Sequence, residues 1–153
     1  MDTALKQKII PILETGQDLS LATLREDGGP QVTTVSYASD GLAIYFGTGG
    51  HSQKACNLAR DPRVSLTIDL PYRHWNEIRG LSIGGRARRI TDPATMVRVG
   101  QLFIAKFQAE MAQFVSGDMS DLALFEIVPE VVSVLDYSQG FGHNDLIRLV
   151  DAA

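Results

Sequence analysis

The chain has 153 residues, 44% hydrophobic and 21% charged, with a net charge of −4. That length fits one domain (1–153) with a substantial core, and the acidic balance removes any general electrostatic case for nucleic acid or an anionic membrane surface. No apolar run reaches the length of a membrane span, and the single cysteine, Cys56, excludes an intrachain disulfide. The first residues lack the basic-then-apolar layout of a signal peptide, so the expected compartment is the cytoplasm.

Residues 3–15 read as an N-terminal packing helix (1–16 with its flanks), because Leu5, Ile9, Ile12 and Leu13 recur on one face. Pro11 counts against it, since an interior proline removes a hydrogen bond, and Gly16 is a natural stop. Leu19–Leu24 is a strand pattern, followed by a polar turn at Glu26-Asp27-Gly28-Gly29. Gln31–Ser36 is a second, β-branched strand pattern. Ser39-Asp40-Gly41 supplies the next turn, because glycine accepts positive φ and aspartate can bond its own backbone. Leu42, Ile44 and Phe46 then alternate in a third strand, and the three are expected to form an antiparallel meander.

Thr48-Gly49-Gly50-His51-Ser52-Gln53-Lys54 follows, with Ser52 placed to cap a helix running to Arg60. A helix start with free N–H groups, a capping hydroxyl and a nearby ammonium is suited to an anion, most naturally a phosphate. The plainer alternative is an ordinary capped helix with a solvated lysine. Cys56, one turn in, reads as a small buried thiol.

Asp61-Pro62 ends the helix. Val64–Leu70 is a strand pattern, 71–77 an aromatic and polar loop, and 78–90 a long strand pattern whose glycines at 80, 84 and 85 suggest a bulge or bend. Arg86 and Arg88 share one face and Arg89 takes the other, either as a solvated surface or as a phosphate contact. Asp92-Pro93 opens a helix predicted to run to about Val115, carrying a packing stripe of Val99, Leu102, Phe103, Lys106, Phe107 and Met111. Ala123–Val128 and Val131–Asp136 read as two strands broken at Pro129. The tail, 137–153, starts with a glycine-rich YSQGFGHNDL segment that matches neither helix nor strand. Six or seven strands with three helices and no βαβ alternation argue for an antiparallel barrel. His51, His74 and His143 match no compact ligand spacing, so no metal site is expected.

Taken in order, Gln31–Ser36, Asp40-Gly41, Ile44–Phe46, Thr48, Ser52, Lys54, Asn57-Leu58 and Asp61-Pro62-Arg63-Val64 resemble the pyridoxamine 5′-phosphate oxidase-like family of FMN-binding split barrels. The likeness runs from about Leu19 to Pro129. It implies a mainly β fold, an antiparallel split barrel with helices, and a homodimer with FMN at the interface acting on a small-molecule substrate. It further implies that Thr48, Ser52, Gln53 and Lys54 hold the phosphate, with Gly47 a further candidate for cofactor contact. The ring would lie along Val32, Thr33, Thr34, Val35 and Ser36. Trp75 and Arg79 of a partner are candidates to cover the ring, and His143 on the tail is a candidate to close over it. Deazaflavin- or haem-binding barrels, and a non-enzymatic flavin-binding module, are the alternatives. Two departures stand out. Gln53 occupies a position that is often arginine in the family, with Arg86, Arg88 or another arginine as its substitute. The tail offers only Arg148 near His143, not the arginine-flanked histidine of true pyridoxamine 5′-phosphate oxidases, which argues against that substrate.

Overall fold

The computed structural model describes residues 3–114 and 117–149, apart from the side chain of Leu5. Thr3–Thr15 (α1) precedes four strands, Asp18–Leu24 (β1), Pro30–Ser36 (β2), Ala38–Asp40 (β3) and Ala43–Gly49 (β4). Gln53–Arg60 (α2), Arg63–Asp69 (β5) and Arg79–Arg89 (β6) follow. Pro93–Lys106 (α3), Gln108–Phe114 (α4), Leu122–Asp136 (β7) and Asn144–Arg148 (β8) complete the described residues. The sheet is antiparallel throughout, in the order β2-β1-β5-β6-β7-β4-β3, with β8 also paired to β7. It curls into a half-barrel, so the antiparallel split-barrel expectation holds.

Alternation builds the interior. Val64, Leu66 and Ile68 of β5 are buried between exposed neighbours, and Leu19 and Leu21 of β1 are buried in alternation with the half-buried Ser20 and Ala22. Ile9, Ile12 and Leu13 of α1 are fully buried against this interior. The helix continues through Pro11, which removes one i→i−4 hydrogen bond. Gly16 is required for a reason of packing: a Cβ there would lie 2.5 Å from the Tyr37 hydroxyl and 2.7 Å from Ile68.

Several sequence expectations need correction. The meander does not form, because the chain crosses at Tyr37 and carries β3 and β4 to the opposite end of the sheet from β2. Ala38–Asp40 is itself a strand, and the hairpin turn is Gly41-Leu42, with Gly41 at φ 59°. β7 is one strand of 15 residues. Its register skips Glu130 opposite Gly84 and Gly85, a bulge that accommodates Pro129 and reverses the inward-facing phase. The tail supplies β8, making eight strands and four α-helices among the described residues. The long helix breaks at Phe107 (φ −126°, ψ 55°) into α3 and α4; Val115, its expected end, lies outside the described residues. Cys56 is exposed, not buried.

Candidate functional site

The N-terminus of α2 is built by β4 and the loop that leaves it. Ser52 is extended (φ −62°, ψ 156°), and its Oγ accepts from the Ala55 N–H at 3.1 Å. Thr48 Oγ1 lies 3.0 Å from Ser52 Oγ. Gly50 donates to the Asp121 carbonyl, and a Cβ there would crowd the Asp121 carboxylate at 3.0 Å. As first-turn residues, Gln53 and Lys54 have N–H groups with no intrahelical acceptor. Lys54 is half-buried and enters no ion pair among the described residues. Burial lowers its pKa below the ordinary lysine value. A partly desolvated ammonium beside N–H donors that have no intrahelical acceptor is suited to an anion.

Gln53 has another commitment. Its Nε2 donates to Asn57 Oδ1 at 2.8 Å, and Asn57 Nδ2 donates to Thr23 Oγ1 at 3.0 Å and Gln31 Oε1 at 3.1 Å. Asn57 is completely buried, so this network fixes α2 to β1 and β2. Arg86 and Arg88 pair with Glu130 and Glu126 at 2.9 and 2.8 Å, as solvated surface ion pairs. Arg89 is the arginine that reaches the loop: its Nη2 is 3.6 Å from where a Gly50 Cβ would stand. The signal in the sequence was its phase, opposite to Arg86 and Arg88 along β6.

From Thr48 the chain runs back through Gly47 into a groove of about 760 Å³. Thr34, Val35 and Ser36 of β2 form one side, and Gly47, Leu122 and Leu124 also line it. Met96, Gly100 and Phe103 of α3, with Phe107, Met111 and Phe114, form the helix wall. Sequence periodicity assigned Phe103, Phe107 and Met111 to packing, because a helix face lining a groove has the same spacing as one sealed in a core. β2 is an edge strand, so its outer backbone groups are available to a ligand. Val32 and Thr33 are outside the groove lining, and Val32 is 63% exposed. The Ser36 hydroxyl is engaged by Asp18 at 2.7 Å.

Trp75, Arg79 and His143 gather elsewhere. Trp75 is 68% exposed and its ring packs 5.6 Å from that of Phe141, which also meets Tyr137 at 5.4 Å. Arg79 is paired in register with Asp136, whose N–H donates to the His143 carbonyl at 3.1 Å. His143 Nε2 is buried with no hydrogen bond, 3.4 Å from Asp145 Oδ2. Thr48 pairs with Ala123 at the start of β7, whereas Arg79 meets its last residue. That spacing is about 40 Å along an unbent strand. One chain therefore does not bring these three residues to the α2 loop.

A family model described as pyridoxamine 5′-phosphate oxidase matches residues 5–136. The chain belongs to that family. A comparison with curated proteins yields no match. Among solved structures, this family member is similar to a conserved hypothetical protein from Mycobacterium tuberculosis, at 29% identity and a TM-score of 0.77, over 94% of this chain and 90% of the other. A Listeria innocua protein carrying the family's name is 26% identical with a TM-score of 0.70, over 86% of this chain and 98% of the other. A haem-binding protein from Mycobacterium smegmatis shares the fold at 21% identity and a TM-score of 0.79, over 97% of this chain, which spans only 59% of that longer protein. Among the described residues, the basic pair that the namesake substrate's phosphate would need is not assembled. Arg148 pairs with Val131 at the far end of β8 from His143, so the two do not form one basic pocket.

Proposed function

We propose that the protein binds FMN and acts as a flavin-dependent oxidoreductase on a small substrate. One observation carries this reading: the half-buried Lys54, which enters no ion pair among the described residues, sits at a helix N-terminus one short step along β4 from the large groove. The phosphate would take the Lys54 ammonium, the Gln53 and Lys54 N–H groups and the Thr48 and Ser52 hydroxyls, with Arg89 as a second cation. The ring would lie against the β2 edge at Thr34–Ser36, where backbone groups can meet its polar atoms. When bound, the flavin supplies hydride and single-electron transfer. The chain's own part is to hold the phosphate, align the ring and keep water from it through the apolar helix wall.

A homodimer belongs to the same proposal. Trp75, Arg79 and His143 are remote from the α2 loop of their own chain, so they can serve a flavin only in a second copy's site. Haem is the less suited guest, since methionine is the only usual axial-ligand type in the groove lining, with no histidine, cysteine or tyrosine beside it.

The test compares FMN with riboflavin, which lacks the phosphate, by flavin-fluorescence titration. Wild-type protein should prefer FMN, and Lys54→Ala should weaken FMN by roughly 1.5–3 kcal/mol while leaving riboflavin unchanged. Equal loss for both ligands would remove Lys54 from the phosphate site.

A further inference from the structure

Two residues lining the groove are glycines, and they come from different walls: Gly47 on β4 and Gly100 in the middle of α3. Glycine inside a helix costs stability relative to alanine, and nothing in the packing demands it here. A Cβ on Gly100 would meet no atom within 4 Å. The space it would enter is the groove. A Cβ on Gly47 would come within 3.1 Å of Leu122 and 3.4 Å of Leu124, two more groove residues.

The rest of the lining has a consistent chemistry. Met96, Met111 and Met119, every methionine among the described residues, all face this one groove. Methionine side chains are soft and adaptable and make favourable contacts with aromatic rings. Phe103, Phe107 and Phe114 stand with them. Glu110 is the one charged residue of the lining, which contains no lysine, arginine or histidine. A volume of about 760 Å³ lies toward the upper end of the range for small-molecule sites, and its helix wall is distinct from the β2 edge proposed for the ring.

We infer that the helix side of the groove, between Gly100, the methionines and Glu110, is a substrate subsite for a planar, apolar aromatic compound that is neutral or carries one positive charge. The inference rests on the flavin reading for its position beside the ring, but its own evidence is the lining. A carboxylate or phosphate in this subsite would lose hydration, find no cation and face Glu110. The phosphate ester that gives the family its name is therefore a poor guest.

The experiment is isothermal titration calorimetry on FMN-saturated protein with three ligands sharing one ring: 2-naphthamide, 2-naphthylmethylamine and 2-naphthoate. The amide and the amine should bind at least about tenfold tighter than the carboxylate. Glu110→Gln should remove any advantage of amine over amide and leave amide binding intact. Gly100→Leu should lower amide affinity at least about tenfold, because the new side chain fills the slot, while the melting temperature holds or rises. Equal binding of the three ligands, or amide that displaces FMN, would overturn the subsite; so would a folded Gly100→Leu variant with unchanged amide affinity. The comparison of the three ligands needs only wild-type protein, so the inference stays testable if Gly100→Leu fails to fold. If the protein retains no FMN, the same titrations on bare protein separate the two readings. A preserved ranking by charge keeps the subsite and removes the flavin; no ranking removes the subsite as well.

Discussion

Lys54 shows how one residue can specify a ligand class. Its ammonium is partly withdrawn from water, it enters no ion pair among the described residues, and its folded pKa lies below the ordinary 10.5. Between the two pKa values the unfolded chain binds more protons than the folded one, so this group's contribution to stability rises with pH across that window. At neutral pH the buried charge is a cost, and a bound phosphate would offset it. The linkage then runs the other way for binding. FMN affinity should be highest where Lys54 is protonated and should fall as pH rises through its depressed pKa, before 10.5 is reached. Fluorescence titrations carried from about pH 7 to past the ordinary lysine value would show this fall in wild-type protein and none in Lys54→Ala. A flat wild-type profile would mean that the lysine does not touch the phosphate.

At the scale of elements, the groove depends on how α3 is anchored. Lys106, at its end, donates through Nζ to the carbonyls of Gly16 at 2.5 Å and Tyr37 at 2.9 Å, and lies 3.9 Å above the Tyr37 ring. It ties α3 to the end of α1 and to the crossing between β2 and β3, just before the chain turns into α4. Lys106→Met keeps the apolar stem but abandons two carbonyl acceptors. Urea denaturation should register a loss of about 1–3 kcal/mol; an unchanged midpoint and slope would show that the clamp is dispensable. None of this was visible in the periodicity, which placed Lys106 in a generic stripe, because its acceptors lie 69 and 90 residues away. The local devices were legible instead: the Ser52 and Asp92 caps, the glycine-marked bulge in β6 and the alternation of β1 and β5. What sequence patterns missed was set by distant pairing. Pro129 looked like a strand break because its accommodating bulge lies across the sheet at Gly84 and Gly85. The tail looked irregular because β8 is defined by its pairing with β7. The α2 half of the site was readable from a cap and a lysine close in sequence, whereas the groove emerges only when α3, α4 and β2 meet.

For the whole molecule, the half-barrel leaves β2 as an edge and an exposed set of large apolar side chains that includes Trp75, Phe141 and Leu146. The Trp75–Phe141 pair, joined by Tyr137, is the part of that set that forms a cluster suited to contact with another chain. Sedimentation equilibrium should report a dimer of twice the 16.7 kDa chain; a stable monomer would leave Trp75, Arg79 and His143 with no part in the site. No helix among the described residues is long and apolar enough to cross a membrane. The central claim, that the α2 loop and the groove together hold a flavin, is tested most directly by the visible absorption spectrum of the protein after FMN is added and the excess removed. The expected result is the two-banded spectrum of bound flavin at about one chromophore per chain. A colourless protein, or one that retains added haem and shows its single intense band while refusing FMN, would contradict it.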